Sequence, residues 1–423
     1  MTQHPEGRTT TSSIERRPFR AVRNVQLLYA LGLLTMLQPG LAVWVVYLTD
    51  FRHLTLAEVG VMELFFWGAK VLLEVPSGAF ADRFGRRRTF AFGLVLEATG
   101  VTLFAFAGSF WLLLISYVLW SGGVAFRSGN DQAYMYDTLA AVRRGHEFTA
   151  RMGVYQALVS VAMMTSGVGG SWLASRTTLQ VPLALGAVPF LFAAVVVVLM
   201  QEPPASRAAL DAGAEAEGNA PPARLGYRET LAVAIATVRA NPLLRYALLF
   251  QIALVAAFEA DILLLQPFLA AQGVPLALFG LLQVPVRLGH IVGSVAAARV
   301  LRATGVFGIA GGTLTLAAGG LALLAIVDHP VAFVGFVAVQ IAMGALLPGV
   351  GAYVNDRTDS RIRATILSVV PLGMSLSFAL TGPLLGIAGN VSLRLAFGGM
   401  AVLILATAGP LLVLWRRAER GAR

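Results

Sequence analysis

The chain is divided into about twelve apolar stretches, each long enough to cross a bilayer as a helix, which takes roughly 20 residues. They fall near 25–48, 56–80, 89–107, 110–137, 153–174, 181–201, 244–271, 276–301, 305–327, 330–356, 363–388 and 393–415. This pattern excludes a water-facing globule. Only 13% of the residues are charged and 57% are hydrophobic, whereas a soluble domain carries about 25% charge. The solvent for most of the chain is therefore lipid, where backbone groups must be satisfied internally by helices or closed barrels. The expected fold class is all-α and integral to the membrane. No cysteine is present, which removes disulfides and cysteine-held metals, and no cofactor is expected. The first apolar run follows a polar tail and is too long for a cleavable signal.

Most connectors are short, so neighbouring helices run antiparallel. The exception is 202–243, which opens on Pro203 and Pro204, continues rich in Ala, Gly and Glu, and reads as a flexible linker. Within it Tyr227, Leu231, Ile235 and Val238 recur at helical spacing, which predicts a short amphipathic helix on the membrane surface. The expected organisation is a tail (1–23), a six-helix bundle (24–201), the linker (202–243), a second six-helix bundle (244–415) and a tail (416–423). Arginines orient the whole. Of the 31, 26 fall in the tails, the linker and alternate connectors, and only Arg52, Arg176 and Arg394 fall on the other side. Such a bias predicts that both termini and the linker are cytoplasmic, with the chain in a cytoplasmic (inner) membrane. The net charge of +10 is thus a topogenic device, and nucleic acid is not an expected partner.

The linker separates six spans from six, and the halves carry traces of a repeat. Shifting by 220 residues places Leu56 on Leu276, Gly60 on Gly280 and Gly85 on Gly305; a shift of 219 places Ala133–Asp137 on Ala352–Asp356. Two pseudo-symmetric halves predict a central site between them.

One loop is distinctive. After the second span the chain reads Gly78-Ala-Phe-Ala-Asp82-Arg83-Phe-Gly85-Arg86-Arg87-Arg88. An acid four residues after one glycine, then a second glycine and a basic cluster, closely resembles the signature between helices 2 and 3 of major facilitator superfamily (MFS) transporters. Further runs, Glu74–Gly78, Gln266–Phe268 with Gly273–Gly280, and Arg363–Ser368, are similar to a bacterial, drug-exporter-like branch. The resemblance implies twelve transmembrane helices in two pseudo-symmetric six-helix bundles. It also implies a gating loop in which Asp82 docks on the start of the eleventh helix, near Arg361 and Arg363, while Gly78 lets the chain turn and neighbouring backbone approach closely. The arginines Arg83, Arg86 and Arg87 then hold the loop at the inner leaflet; a purely topogenic role is the alternative. The chain departs from the exporter pattern at two places. Tyr117 stands where an arginine is frequent in helix 4, and Thr165-Ser166 replace a Gly-Pro pair before Gly167.

Charges inside spans are expensive and mark candidate functional residues. In the second span Glu63, Trp67, Lys70 and Glu74 share one helical face, with Lys70 and Glu74 at pairing distance i,i+4. In the eighth, Gln283, Arg287, His290 and Ser294 do the same at the matching positions. The two stripes are expected to face a water-filled pathway or, alternatively, to lock helices together. The seventh span holds Glu259 and Asp261, which point about 200° apart and so cannot both face one cavity; Asp261 is favoured for the pathway because a break is expected beside it at Pro267, with Glu259 the alternative. Desolvation favours the neutral form of a carboxyl group, as a proton carrier requires. His290 is a candidate for the same coupling or a neutral hydrogen-bonding group. Arg127 and Asp131, again i,i+4, read as a structural or gating pair, and Glu97 is expected to meet a neighbouring helix.

No phosphate-binding loop or HExxH motif occurs, and the chain has one lysine, so ATP hydrolysis and enzymatic chemistry are not expected. The expected function is a secondary active transporter using alternating access, exporting a small amphipathic compound against protons and acting as a monomer in the lipid bilayer. A proton-coupled importer of a small anion and a non-transporting receptor or scaffold are the alternatives.

Overall fold

The computed structural model describes residues 19–204 and 236–422 apart from Asp359, and the side chains of Val75, Asp82 and residues 360–369 lie outside the description. Among the described residues there is no strand, and nine helical stretches are long and apolar enough to cross a membrane. One of these, Leu276–Ile326, leaves helical geometry at Gly305 and is two crossings. Adding the interrupted first helix and the charge-bearing helix Leu56–Phe84 gives twelve among the described residues. In chain order they are α1 (Ala21–Met36, resuming after a break as far as Phe51), α2 (Leu56–Phe84), α3 (Arg86–Phe106) and α4 (Phe110–Arg127 and Asn130–Ala140). Next come α5 (Phe148–Arg176), α6 (Gln180–Leu185 and Ala187–Leu199) and α7 (Pro242–Val255 and Ala257–Ala271). The run Phe279–Ile326 forms α8 and α9, followed by α10 (Val334–Asp356), α11 (Ser360–Val391) and α12 (Leu393–Ala422). Of the amphipathic helix expected in the linker, Tyr227, Leu231 and Ile235 lie outside the described residues; Val238 packs against the core.

Local chemistry sets the helix ends. Thr55 caps α2 with a reciprocal capping box to Glu58, and Asn241 caps α7 with Pro242 in the first turn, where a missing N–H costs nothing. Pro39 breaks α1: the residue before a proline is pushed out of the helical region, and Gln38 stands at φ −116°, ψ 87°. Gly129, at φ 74°, interrupts α4.

The turn after α2 is made by Gly85, at φ 87°, ψ 156°, a region open in practice to glycine alone. Its counterpart Gly305 adopts φ 69°, ψ 177°, so the repeat extends to backbone conformation. Gly78, expected to help form the turn, instead lies within α2, exposed, with open space where a Cβ would stand. The helix continues to Phe84 because nothing before Gly85 forces positive φ. Similarly, α7 is interrupted at Ala256 rather than at Pro267. There Glu259 N–H bonds the Ala256 carbonyl at 3.1 Å in a tight i,i+3 turn, whereas one missing donor at Pro267 is tolerated inside a membrane helix.

The halves meet through α2 on α11 and α8 on α5. A Cβ on Gly60 would lie 2.4 Å from the Gly382 carbonyl oxygen, and one on Gly280 would lie 2.1 Å from that of Gly167. Matched glycines thus permit matched backbone contacts. The break in α1 completes the junction. Leu41 C=O and Val45 N–H would bond each other in a regular helix; here the Gln266 amide of α7 spans them, donating to Leu41 at 3.0 Å and accepting from Val45 at 2.8 Å. Gln283 of α8 donates to Ala42 C=O at 3.1 Å, and Ser171 of α5 accepts from Gly280 N–H at 3.0 Å. Ala57 N–H donates to Asn390 at 3.4 Å. These contacts all lie toward the end of the bundle remote from the termini. The two halves are sealed at that end.

Candidate functional site

Beneath the seal, between the two halves, lies a cavity of about 380 Å³, within the usual range for a small-molecule site. The first half contributes Gln38, Leu41 and Trp44 from the α1 break, Phe66 and Trp67 from α2, and Tyr117 and Trp120 from α4. The second contributes Phe258, Ile262 and Gln266 from α7 and Gln283 from α8. Five of the charged residues singled out in the sequence reach its wall: Glu63, Lys70, Arg127, Asp261 and Arg287.

Each acid is held by the protein. Trp67 donates its indole N–H to Glu63 at 2.9 Å, and the Tyr117 hydroxyl also bonds Glu63. Tyr117, which stands where exporters carry an arginine, thus supplies a donor in its place. Asp261 accepts from the Gln340 amide of α10 at 2.7 Å, and the Gln340 carbonyl oxygen lies 3.1 Å from His290 Nδ1. His290 therefore belongs to an Asp261–Gln340–His290 chain behind the wall rather than to the wall itself, although it shares a helix face with Arg287. Gln340 escaped the sequence reading; an uncharged amide inside an apolar span was its signal.

Glu259 is fully buried, and neither carboxylate oxygen has a hydrogen-bond partner among the described residues. The charge that acts on it is that of Glu63, across the junction between the halves. Both side chains flank Gly382 of α11: a Cβ there would lie 3.0 Å from Glu63 Cβ and 3.3 Å from Glu259 Oε1. The divergence of Glu259 and Asp261 follows from their spacing of two on a helix: one faces the cavity, the other the junction.

Two pairings expected from spacing are replaced. Lys70 does not bond Glu74; its ammonium lies 5.0 Å from the Trp67 ring centroid, and Glu74 stands off the cavity wall, its charge acting on Lys70 from a distance. Arg127 pairs with Glu97 of α3 at 3.0 Å rather than with Asp131, because Gly129 breaks the helix between them and destroys the i,i+4 register. Asp131 instead bonds Tyr155 of α5. Glu97 has no exposed side-chain surface. Glu97→Gln should therefore cost about 3 kcal/mol, the lower end for breaking a buried ion pair, since the guanidinium also touches the cavity. Thermal melting in detergent measures the loss, and Glu97→Gln with Arg127→Leu should recover much of it.

The gating loop is tied to its own half. The Glu202 carboxylate accepts from Arg86 N–H at 2.9 Å and Arg87 N–H at 3.1 Å, placing an anion on the N-terminus of α3. Arg86 also pairs with Asp137 at 3.0 Å, and Arg87 donates to Met200 C=O at 3.3 Å. Protein acceptors thus hold two arginines expected to lie on lipid headgroups, while Arg83 and Arg88 are exposed. The expected contact of Asp82 with the start of α11 lies outside the described side chains.

Two bundles related by a repeat, sealed at one end over a shared cavity, are the architecture of an alternating-access membrane transporter. The chain belongs to the Major Facilitator Superfamily, whose family profile matches residues 26–339, a family of multi-pass membrane transporters and not of enzymes. Tetracycline resistance protein, class G, of Vibrio anguillarum is 27% identical over 186 residues, covering 42% of this chain and 46% of that protein. The uncharacterized MFS-type transporter YxaM of Bacillus subtilis (strain 168) is 23% identical over 145 residues, covering 34% of this chain and 36% of that protein. The match thus spans less than half the length of either relative. Among solved structures, a point mutant of the nucleoside transporter NupG superposes with a TM-score of 0.72 at 14% identity, covering 94% of this chain and 99% of that one. A bacterial homolog of the human lysosomal transporter Spinster, in an inward-facing and unoccupied conformation, gives 0.72 at 17%, covering 96% and 98%. At these identities the likeness concerns the fold.

Proposed function

We propose that the chain is a secondary active transporter of a cytoplasmic (inner) membrane, acting as a monomer, which exports a small amphipathic compound in exchange for protons. The observation that carries this reading is the pair Glu63 and Glu259: two buried acids, one from each half, facing each other where the halves meet and beside the cavity. Two such charges, with no cation against Glu259 among the described residues, are stable together only if they hold a proton. Glu63 also lines the cavity, so it is the member through which that proton leaves. When the sealed end opens, α2 parts from α11 and water from the far side reaches the acids; when it closes, their only outlet is the cavity.

The distribution of arginines supports placing the termini and linker in the cytoplasm, so the sealed end faces outward. Opening the outer end requires closing the inner one, the role we assign to Asp82 against the start of α11. Similarity to a protein named for tetracycline resistance supports export over import. The test is a flux screen in inverted vesicles with an imposed pH gradient, using amphipathic compounds of charge −1, 0 and +1. Proton release from acid-loaded vesicles on adding compound is expected. Flux indifferent to pH would exclude proton coupling, and protons moving in the same direction as the compound would exclude export by exchange.

A further inference from the structure

We infer that the cargo is an aromatic or otherwise flat amphipathic monoanion, its charge held between Lys70 of one half and Arg287 of the other. The inference deepens the reading of the cavity as the transport site and depends on it. It rests on which polar groups of the wall are already engaged. Glu63 accepts from Trp67 and Tyr117. Asp261 accepts from Gln340 through Oδ2, and its Oδ1 is buried, offering no surface to a ligand. Gln266 and Gln283 donate to the α1 backbone, and Arg127 is paired with Glu97.

Lys70 and Arg287 are different. Both are half-buried on the wall, and neither has a hydrogen bond or an ion pair within 4 Å among the described residues. The cavity therefore offers free donors and positive charge, while its acids already accept hydrogen bonds from the protein. A cargo that brings an anionic acceptor satisfies both cations; a cationic cargo would leave them unsatisfied and meet their repulsion. Arg287 also feels the charge of Asp261, so the local field accommodates one negative charge better than several. The rest of the wall suits an apolar, planar body. Phe66, Trp67, Tyr117, Trp120 and Phe258 line it; Phe66 lies 5.6 Å from Tyr117, and buried Phe378, behind the wall, lies 4.8 Å from Trp67 of one half and 5.9 Å from Phe258 of the other. An anion touching one cation from each half would draw the halves together around it, so binding itself would bias the rocking motion.

The test measures binding rather than flux, using the purified full-length chain in neutral detergent and isothermal titration calorimetry. The probes share one aromatic body: 2-naphthoate, 2-naphthamide and 2-naphthylmethylammonium. The naphthoate is expected to bind at least about tenfold more tightly than the other two, in line with charge-assisted hydrogen bonds. Lys70→Gln and Arg287→Gln should each erase that preference, and Lys70→Arg should restore part of it; melting curves establish that the variants are folded. Equal binding of all three probes, or an anion preference that survives both glutamine substitutions, overturns the inference and leaves the transport reading standing. Failure of all three to bind overturns both the inference and the cavity as the cargo site.

Discussion

Glu259→Gln yields a protein whose flux no longer responds to an imposed pH gradient, with gradient-driven transport falling to the level of vesicles lacking the protein. The substitution preserves volume and removes one titrating group. An amide at this position can donate to Glu63 across the junction, so the variant should fold and melt at or above the temperature of the parent: an acid without hydrogen-bond partners among the described residues becomes a group with one. Glu63→Gln should uncouple transport in the same way, because the proton belongs to the pair. Asp261→Asn is the informative control, since Asp261 is held by Gln340 and lies on the other face of α7. If flux through Glu259→Gln follows the pH gradient as the parent does, the carboxyl pair is not the coupling site.

Gly280→Val should arrest the transporter with its outer end unable to seal. The added Cβ would stand 2.1 Å from the Gly167 carbonyl oxygen and 2.3 Å from its carbon, so α5 and α8 must move apart. Overpacking of this kind costs about 1–3 kcal/mol, and it acts on one of two conformations, so the balance between them shifts by roughly 5- to 150-fold. Transport should fall in proportion while expression and melting change little. Because the chain has no cysteine, a single cysteine placed near the cavity reports the shift cleanly: its labelling by a membrane-impermeant thiol reagent from outside should rise. Unchanged labelling and flux would mean that the glycine contact is not part of the transport cycle.

Much of this was legible in the residues. Charge scarcity and segment length gave the helix count, and the 220-residue offset aligned Gly85 with Gly305, which the structure shows in the same glycine-only backbone, and Gly60 with Gly280, which make matched contacts. That Glu259 and Asp261 diverge follows from helical geometry, and Glu63, Lys70, Asp261 and Arg287 stand out because a charge in lipid is too costly to be incidental. Spacing failed where continuity failed. Arg127 and Asp131 are separated by a left-handed glycine, and Lys70 prefers an aromatic face to the acid one turn away. The roles of Gln340 and Gln266 are not legible along the chain, because an amide costs less in a membrane than a charge and stands out less.

By itself the sequence determined that this chain is a twofold, twelve-helix membrane bundle with ionisable groups at its centre and its basic loops on one side. Those properties depend on the count, period and sign of residues along the chain, which lipid reads locally. The tertiary structure alone decided which of those groups meet. Partnership between Glu63 and Glu259, or between Gln266 and the broken backbone of α1, joins residues far apart along the chain, and no periodicity along one helix records how it is rotated against another.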